Sequence, residues 1–418
     1  MGKIFTVAIL GCGSRGANAY GRKMFDMPDK YKIVSLCDIN PEKLRLTKET
    51  FSVPDEETFT DENEFFKKKR ADVIVIATQD QDHVRHCVKA LELGYDVLLE
   101  KPLTKTKKGC DALLNAQKKY GGKVLVCHVL RYAPAFIKAA ELIDSGAIGR
   151  LVEIDNTEQV AFWHQAHSFV RGNWRRSDET SPMILAKCCH DLDLLQFFAK
   201  SKCKSLSSVG DLTFFTPENA PEGAAERCLD CKYIDTCPYS AKQVYITRFG
   251  GNEITWPSSA ITLKRPLTAE NVMEALKDGP YGRCVFHCDN NVVDHQLTTM
   301  TFENGVKATL TMVAFTGKSG RLMFLRGTLG EVIVDEEHGK VILKQFMKDT
   351  QEWEISSLVS AGDGHGGGDS GIVGALYETL AGGKEGATTL KESIESHLMG
   401  IAAEKSRLAG GKLTKVHR

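Results

Sequence analysis

The N-terminal third of the chain carries five short runs that are apolar at nearly every position, separated by stretches of helical spacing. Thr6-Val7-Ala8-Ile9-Leu10, Ile33-Val34-Ser35-Leu36, Val73-Ile74-Val75-Ile76-Ala77, Val97-Leu98-Leu99 and Val124-Leu125-Val126 are rich in β-formers. Continuous rather than alternating apolarity belongs to strands covered on both faces, the pattern of a parallel sheet. Between two of these runs, residues 82–93 have helical periodicity and stop at Gly94, where a left-handed cap is easy. Strand and helix alternating at this interval predict a doubly wound α/β domain over residues 1–130.

After about Gly149 the period changes. Residues 150–159 and 296–347 alternate apolar with polar positions, and Asn304-Gly305 is a hairpin turn signal. Residues 131–418 are therefore expected to form a second α/β domain with a large, mostly antiparallel open sheet. Residues 217–282 show neither period and read as a long insertion, a length that points to function or to an ordering metal.

Composition narrows the classes. The 418 residues hold 54 Lys+Arg and 54 Asp+Glu, a formal net charge of zero, so no basic field is available to hold nucleic acid. Apolar runs all fall short of a membrane span. Met1-Gly2-Lys3-Ile4 leads straight into the first strand and lacks the layout of a signal peptide. Thirteen cysteines, an odd number, then favour reduced thiols and a cytoplasmic location. A neutral chain also suits a neutral, hydroxyl-rich ligand and self-association.

Gly11-Cys12-Gly13-Ser14-Arg15-Gly16 follows the first strand directly and precedes a helical stretch. Glycines there permit a tight turn and let backbone N–H groups approach a pyrophosphate. Asp38 ends the second strand, where a carboxylate accepts hydrogen bonds from both ribose hydroxyls and repels a 2′-phosphate, favouring NAD over NADP. Leu99-Glu100-Lys101-Pro102 lies where a parallel strand ends, at the sheet edge that binds ligands.

With Ala77-Thr78, His83, Glu100-Lys101-Pro102, and His128 followed by Arg131-Tyr132-Ala133-Pro134, the chain resembles the Gfo/Idh/MocA family of glucose–fructose oxidoreductase, inositol dehydrogenase and relatives. The resemblance implies an NAD(P)-binding Rossmann domain and a second domain whose open sheet forms oligomer interfaces, hence a homo-oligomer, dimer or tetramer. It implies hydride transfer at a sugar or polyol carbon, with Lys101 beside both nicotinamide and substrate. Thr78, His83 and Glu100 fall to the cofactor pocket, Arg131 and Tyr132 to the substrate.

Ser181-Pro182 starts a helix expected to run through Leu195, with Ser181 as cap. Ala186, Lys187 and His190 then share a face. Many family members carry an Asp where this chain has Ala186. Lys187 and His190 side by side would depress each other's pKa and supply a base without it. Residues 163–175 are dense in aromatic and polar groups suited to a carbohydrate: Trp163, His167, Arg171, Asn173 and Trp174, with His167 a further base. Asp294-His295 and His365 are two more candidate substrate contacts. In the insertion, Cys228, Cys231 and Cys237 form a C-x2-C-x5-C pattern; with Cys284 or Cys203 they make a candidate structural zinc site, free thiols being the alternative.

The residues thus predict an NAD-dependent oxidoreductase acting on a hydroxyl of a sugar, glycoside or polyol. Two alternatives stand: a glycoside hydrolase using tightly bound NAD through transient oxidation, elimination, water addition and re-reduction, and a non-catalytic NAD- and sugar-binding regulator.

Overall fold

In a computed structural model describing residues 2–355, 358–359 and 364–417, the five apolar runs become strands of one parallel sheet. These are β1 (Phe5–Leu10), β2 (Tyr31–Cys37), β4 (Val73–Ile76), β5 (Asp96–Leu99) and β6 (Val124–Val126), joined at one edge by the two-residue β3 (Thr58–Phe59). All neighbours pair in parallel, in the order β3-β2-β1-β4-β5-β6. Every residue of β4 is buried, as double coverage requires. The order reverses between β1 and β4, so the loops leaving their carboxyl ends diverge and open a crevice.

The second sheet has nine strands: β7 (Leu151–Gln159), β8 (Cys203–Asp211), β9 (His295–Phe302), β10 (Lys307–Val313), β11 (Gly320–Gly327), β12 (Gly330–Asp335), β13 (Lys340–Gln345), β14 (Gln351–Glu354) and β15 (Thr414–Lys415). Their order is β14-β13-β12-β11-β7-β10-β9-β8-β15, and only β7 with β10 runs parallel. Alternation along β7 buries Ile154, Asn156 and Glu158 on one face. Two polar residues on a covered face mark where this sheet meets the site.

The single boundary expected at residue 130 is crossed at the far end of the chain. Ile372, Val373 and Leu376 of the helix Gly368–Leu380 pack in one cluster with Val7, Ile9 and Val75 of the parallel sheet. The helix Leu390–Leu408 gives Leu390 and Ile394 to the sheet's other face, and Met399, Ala402 and Ala403 to the second domain. The cofactor-type domain is completed by sequence that lies after the second one.

The helix expected from Ser181 to Leu195 is two helices, Met183–Ala186 and Cys189–Ala199, broken at Lys187-Cys188. Its cap is Pro182 with no side-chain bond, and the Ser181 hydroxyl is buried without a partner. Nor is the insertion coreless. Helices Ala241–Tyr245 and Ala269–Asp278 bury Val244, Tyr245, Val272 and Leu276 around Cys228. Among the described residues no helix is long and apolar enough to cross a membrane.

Candidate active site

At the crevice, β1 delivers the glycine turn. Gly11 has φ +96°, and a Cβ there would sit 2.5 Å from the Ala77 carbonyl oxygen; one at Gly16 would sit 2.0 Å from the Gly11 oxygen. Both are glycines for packing. At Gly13 a Cβ would meet no protein atom, so backbone faces open space where a pyrophosphate fits. A π-helix, Ser14–Gly21, begins at once, and no side chain caps its leading N–H groups. Asp38 stands at the mouth, accepting from the backbone N–H of Cys12 at 2.7 Å and of Asn40 at 2.8 Å.

Beneath the turn lies a buried ion cluster. Arg15 donates to Glu100 through Nε (2.7 Å) and to Asp369 through both Nη atoms (2.9 and 2.8 Å). Glu100 also accepts from Tyr20 Oη and from its neighbour's backbone N–H, Lys101 N. Burial would raise the Glu100 pKa, but Arg15 and Lys101 hold it below the usual carboxylate range. The cluster fixes the Glu100-Lys101-Pro102 turn against the glycine turn. Arg15, expected to contact cofactor, spends its guanidinium on this clamp.

Lys101 extends from that turn to the second domain, where its Nζ donates to the Ala186 carbonyl at 3.3 Å. His190, 3 % exposed, has neither ring nitrogen engaged by protein. Its ring lies 5.3 Å from that of His365 and 6.0 Å from that of His128. His365 in turn bonds Asp369 through Nδ1 at 3.1 Å. Burial first, then the Lys101 charge, pushes the His190 pKa well below that of a free imidazole. Lys187 is not the cause. The helix break turns it away to pair with Glu158 at 3.0 Å, and Glu158 shares Arg321 (2.6 Å) with Asp191 (2.8 Å). Burial raises the Glu158 pKa against the pull of Arg321 and Lys187.

Several expected contacts are committed elsewhere. Arg131 is buried in a two-pronged pair with Asp193, 2.7 Å at each contact, and Tyr132 Oη is 3.0 Å from Thr388 Oγ1, so both have partners within the protein. His83 has its ring nitrogens 2.7 Å from the Pro102 and 3.1 Å from the Thr78 carbonyl oxygens, bracing the cofactor crevice from behind. Thr78 Oγ1 meets His86 Nδ1 at 3.0 Å. Arg171, 1 % exposed, donates to the Arg283 and Tyr239 carbonyls and ties down the insertion. Asp294 is fully buried, accepting from the Thr213 and Phe214 N–H groups and from His295. Trp174 Nε1 bonds Asp80 of the parallel-sheet domain at 3.0 Å, and Asn173 is exposed. His167 stacks on Tyr281 and contacts Tyr245 Oη, so its ring is engaged within the insertion; burial drives its pKa down to about 3.

Residues 5–128 match the oxidoreductase family with an NAD-binding Rossmann fold, and residues 136–230 match the GFO/IDH/MocA C-terminal domain. The chain belongs to the GFO/IDH/MocA oxidoreductase family. Among relatives of this oxidoreductase, YteT of Bacillus subtilis, named as an oxidoreductase, is 25% identical over 410 residues, 92% of this chain and 93% of that protein. A 2,7-anhydro-N-acetylneuraminate hydratase of Mediterraneibacter gnavus is 25% identical over 49% of this chain and 51% of its own. Levoglucosan dehydrogenase, solved with NADH and levoglucosan, shares the fold at TM-score 0.73 and 16% identity, each chain covered at 100%. NAD binding follows from the family, and the open backbone at Gly13 with Asp38 beside it fits that cofactor.

Residue reasoning missed three members of this oxidoreductase's site. His164, one turn before His167, packs its ring against Trp163, Phe169 and Trp256, and burial first, then the Lys187 charge, pushes its pKa well below that of a free imidazole. Glu158 and Arg321 were legible: each is a charged residue at a core-facing position of a strand, β7 and β11. The cysteine expectation is only half met. Cys228, Cys231, Cys237 and Cys284 line one small cavity, without Cys203, yet among the described residues no three His, Cys, Asp or Glu groups are placed to hold a metal. Cys228 instead accepts from Arg171 Nη2 at 3.4 Å, and apolar packing orders the insertion, which leaves zinc without support.

Proposed function

We propose that this oxidoreductase acts on a hydroxyl of a sugar, glycoside or polyol, with Lys101 and His190 at the reacting carbon. The observation that carries this reading is His190 itself: a buried imidazole with no protein partner, beside a lysine held by a backbone carbonyl. A buried ring without partners is costly unless a ligand completes it. NAD, when bound, would supply the hydride acceptor, and the glycine turn with Asp38 would hold it. Lys101 Nζ donates to the substrate hydroxyl oxygen and orients it. His190, neutral because its pKa is low, takes the hydroxyl proton. Ala186 has no carboxylate to offer His190 and contributes only its carbonyl, which holds Lys101.

The redox-neutral glycosidase is the second reading. It needs a second proton-transfer pair, and Lys187 with Glu158 provides one at 3.0 Å. One assay separates the two. Purified protein is incubated with free sugars, polyols and chromogenic glycosides, with and without added NAD. NADH accumulating on a free sugar or polyol supports the oxidoreductase; aglycone released with no net NADH supports the glycosidase; neither on any substrate defeats both. A cytoplasmic setting belongs to the same proposal, consistent with thirteen cysteines all free. So does self-association through the outer face of the nine-stranded sheet, where Val209 and Leu297, cross-strand partners, are exposed.

A further inference from the structure

The insertion brings to the site a group of aromatic side chains that the reaction at Lys101 does not use. Trp256, within it, is 39 % exposed although ring contacts hold it on several sides. Its centroid lies 4.9 Å from His164, 5.3 Å from Trp163 and 5.5 Å from His167, at interplanar angles of 88°, 72° and 83°. Each neighbour is close to perpendicular, and none stacks in parallel on the indole. Trp163 is itself stacked on His164, and the Arg248 guanidinium, also from the insertion, sits 3.9 Å from its ring centroid. Behind them His167 lies flat on Tyr281 at 4.8 Å, so the wall is backed by packed rings.

His164 joins this wall to the chemistry. On one side it touches Trp256; on the other its segment leaves the end of β7, where Glu158 pairs with Lys187 at 3.0 Å, next to the Ala186 carbonyl that takes Lys101 Nζ. A flat, partly open indole on the same side of the second domain as Lys187 and Glu158 has a natural occupant. The C–H face of a pyranose is apolar and planar enough to stack on it, while its rim hydroxyls need a polar donor such as a guanidinium. A single ring placed at Lys101 and His190 does not need Trp256. A second ring does.

We propose that Trp256, with Trp163 and Arg248, forms a subsite for a second pyranose ring, so that the substrate is a two-ring or longer saccharide whose reacting ring sits at Lys101 and His190. The proposal rests on the sugar reading above and narrows it. Binding, read by calorimetry on the full chain with NAD, tests it without requiring turnover. The probes are glucose, galactose and mannose, each as free sugar, as methyl glycoside and as disaccharide (maltose, cellobiose, lactose and mannobiose). At least one disaccharide is expected to bind about tenfold or more tightly than its one-ring parent. Trp256→Ala should remove that gain and leave the one-ring sugar within about twofold of wild type. Trp256→Phe, which keeps a stacking face, should retain most of it. A panel in which no disaccharide binds more tightly than its parent overturns the subsite, as does equal loss on both ligand classes in Trp256→Ala. Disaccharide binding that depends on Trp256 with no redox chemistry on any sugar would instead overturn the catalytic reading and leave the subsite standing.

Discussion

In the mechanism proposed above, His190 serves as base because of where it is rather than what lies next to it in sequence. Buried beside Lys101, it stays neutral well below the pH at which a free imidazole titrates. A group whose pKa is lowered is fully in its base form above the ordinary value near 6.5 and loses that form only as pH falls through the lower one. The acid limb of kcat/KM should therefore lie below pH 6.5, and His190→Ala should lower kcat about a hundredfold or more. A pH–rate profile and steady-state kinetics of the variant check both; an acid limb at or above 6.5 would place the base elsewhere. Lys101 and His190 were legible because one follows a strand into a Pro turn and the other sits on an apolar helix. His164 was not. Residues 163–175 stood out only by their density of aromatic and polar groups, and such density does not tell one histidine of the stretch from the next.

At the level of elements, pattern recovered five of the six parallel strands and the change of period after Gly149. It misjudged places where backbone departs from a regular period. The break at Lys187-Cys188 undid the shared face of Lys187 and His190, and the insertion proved to have a core because its apolar residues lie on two separate short helices. Charged residues near the site were over-assigned to ligand for one reason: the pattern does not reveal which of them have partners far away in sequence. Arg131 is the clearest case, since Asp193 neutralises it from 62 positions on. Arg131→Met should lower unfolding free energy by about 3–5 kcal/mol, the cost of stranding one member of a buried pair. The substrate KM should not move. Denaturant titration with steady-state kinetics tests this; a raised KM at unchanged stability would return Arg131 to the substrate site.

Over the whole molecule, buried neutral histidines make acid the weak point. His167 and His397 have pKa values pushed down to about 3, and burial also depresses His128 and His164. Above about pH 6.5 neither folded nor unfolded chain protonates them, so they add no pH dependence. Below it the unfolded chain takes up protons that the fold refuses. Stability then falls by up to about 1.4 kcal/mol per pH unit for each group, until the folded values are reached. Thermal melts should give a Tm that is level from pH 7 to 8 and drops steadily between pH 6.5 and 4; a flat Tm over that lower range would mean that these rings are hydrated.

The return of the C-terminal helices to the first sheet has a consequence for biosynthesis. Ile372, Val373 and Leu376 close one face of the parallel sheet, Leu390 and Ile394 the other, and Asp369 neutralises Arg15 beneath the glycine turn. None of these exists on the ribosome while residues 1–130 emerge, although domains made first usually fold first. The nascent nucleotide domain must wait, with apolar faces uncovered, until residues 369–394 have been synthesised. The order of translation thus makes cofactor binding one of the last events in the maturation of this enzyme.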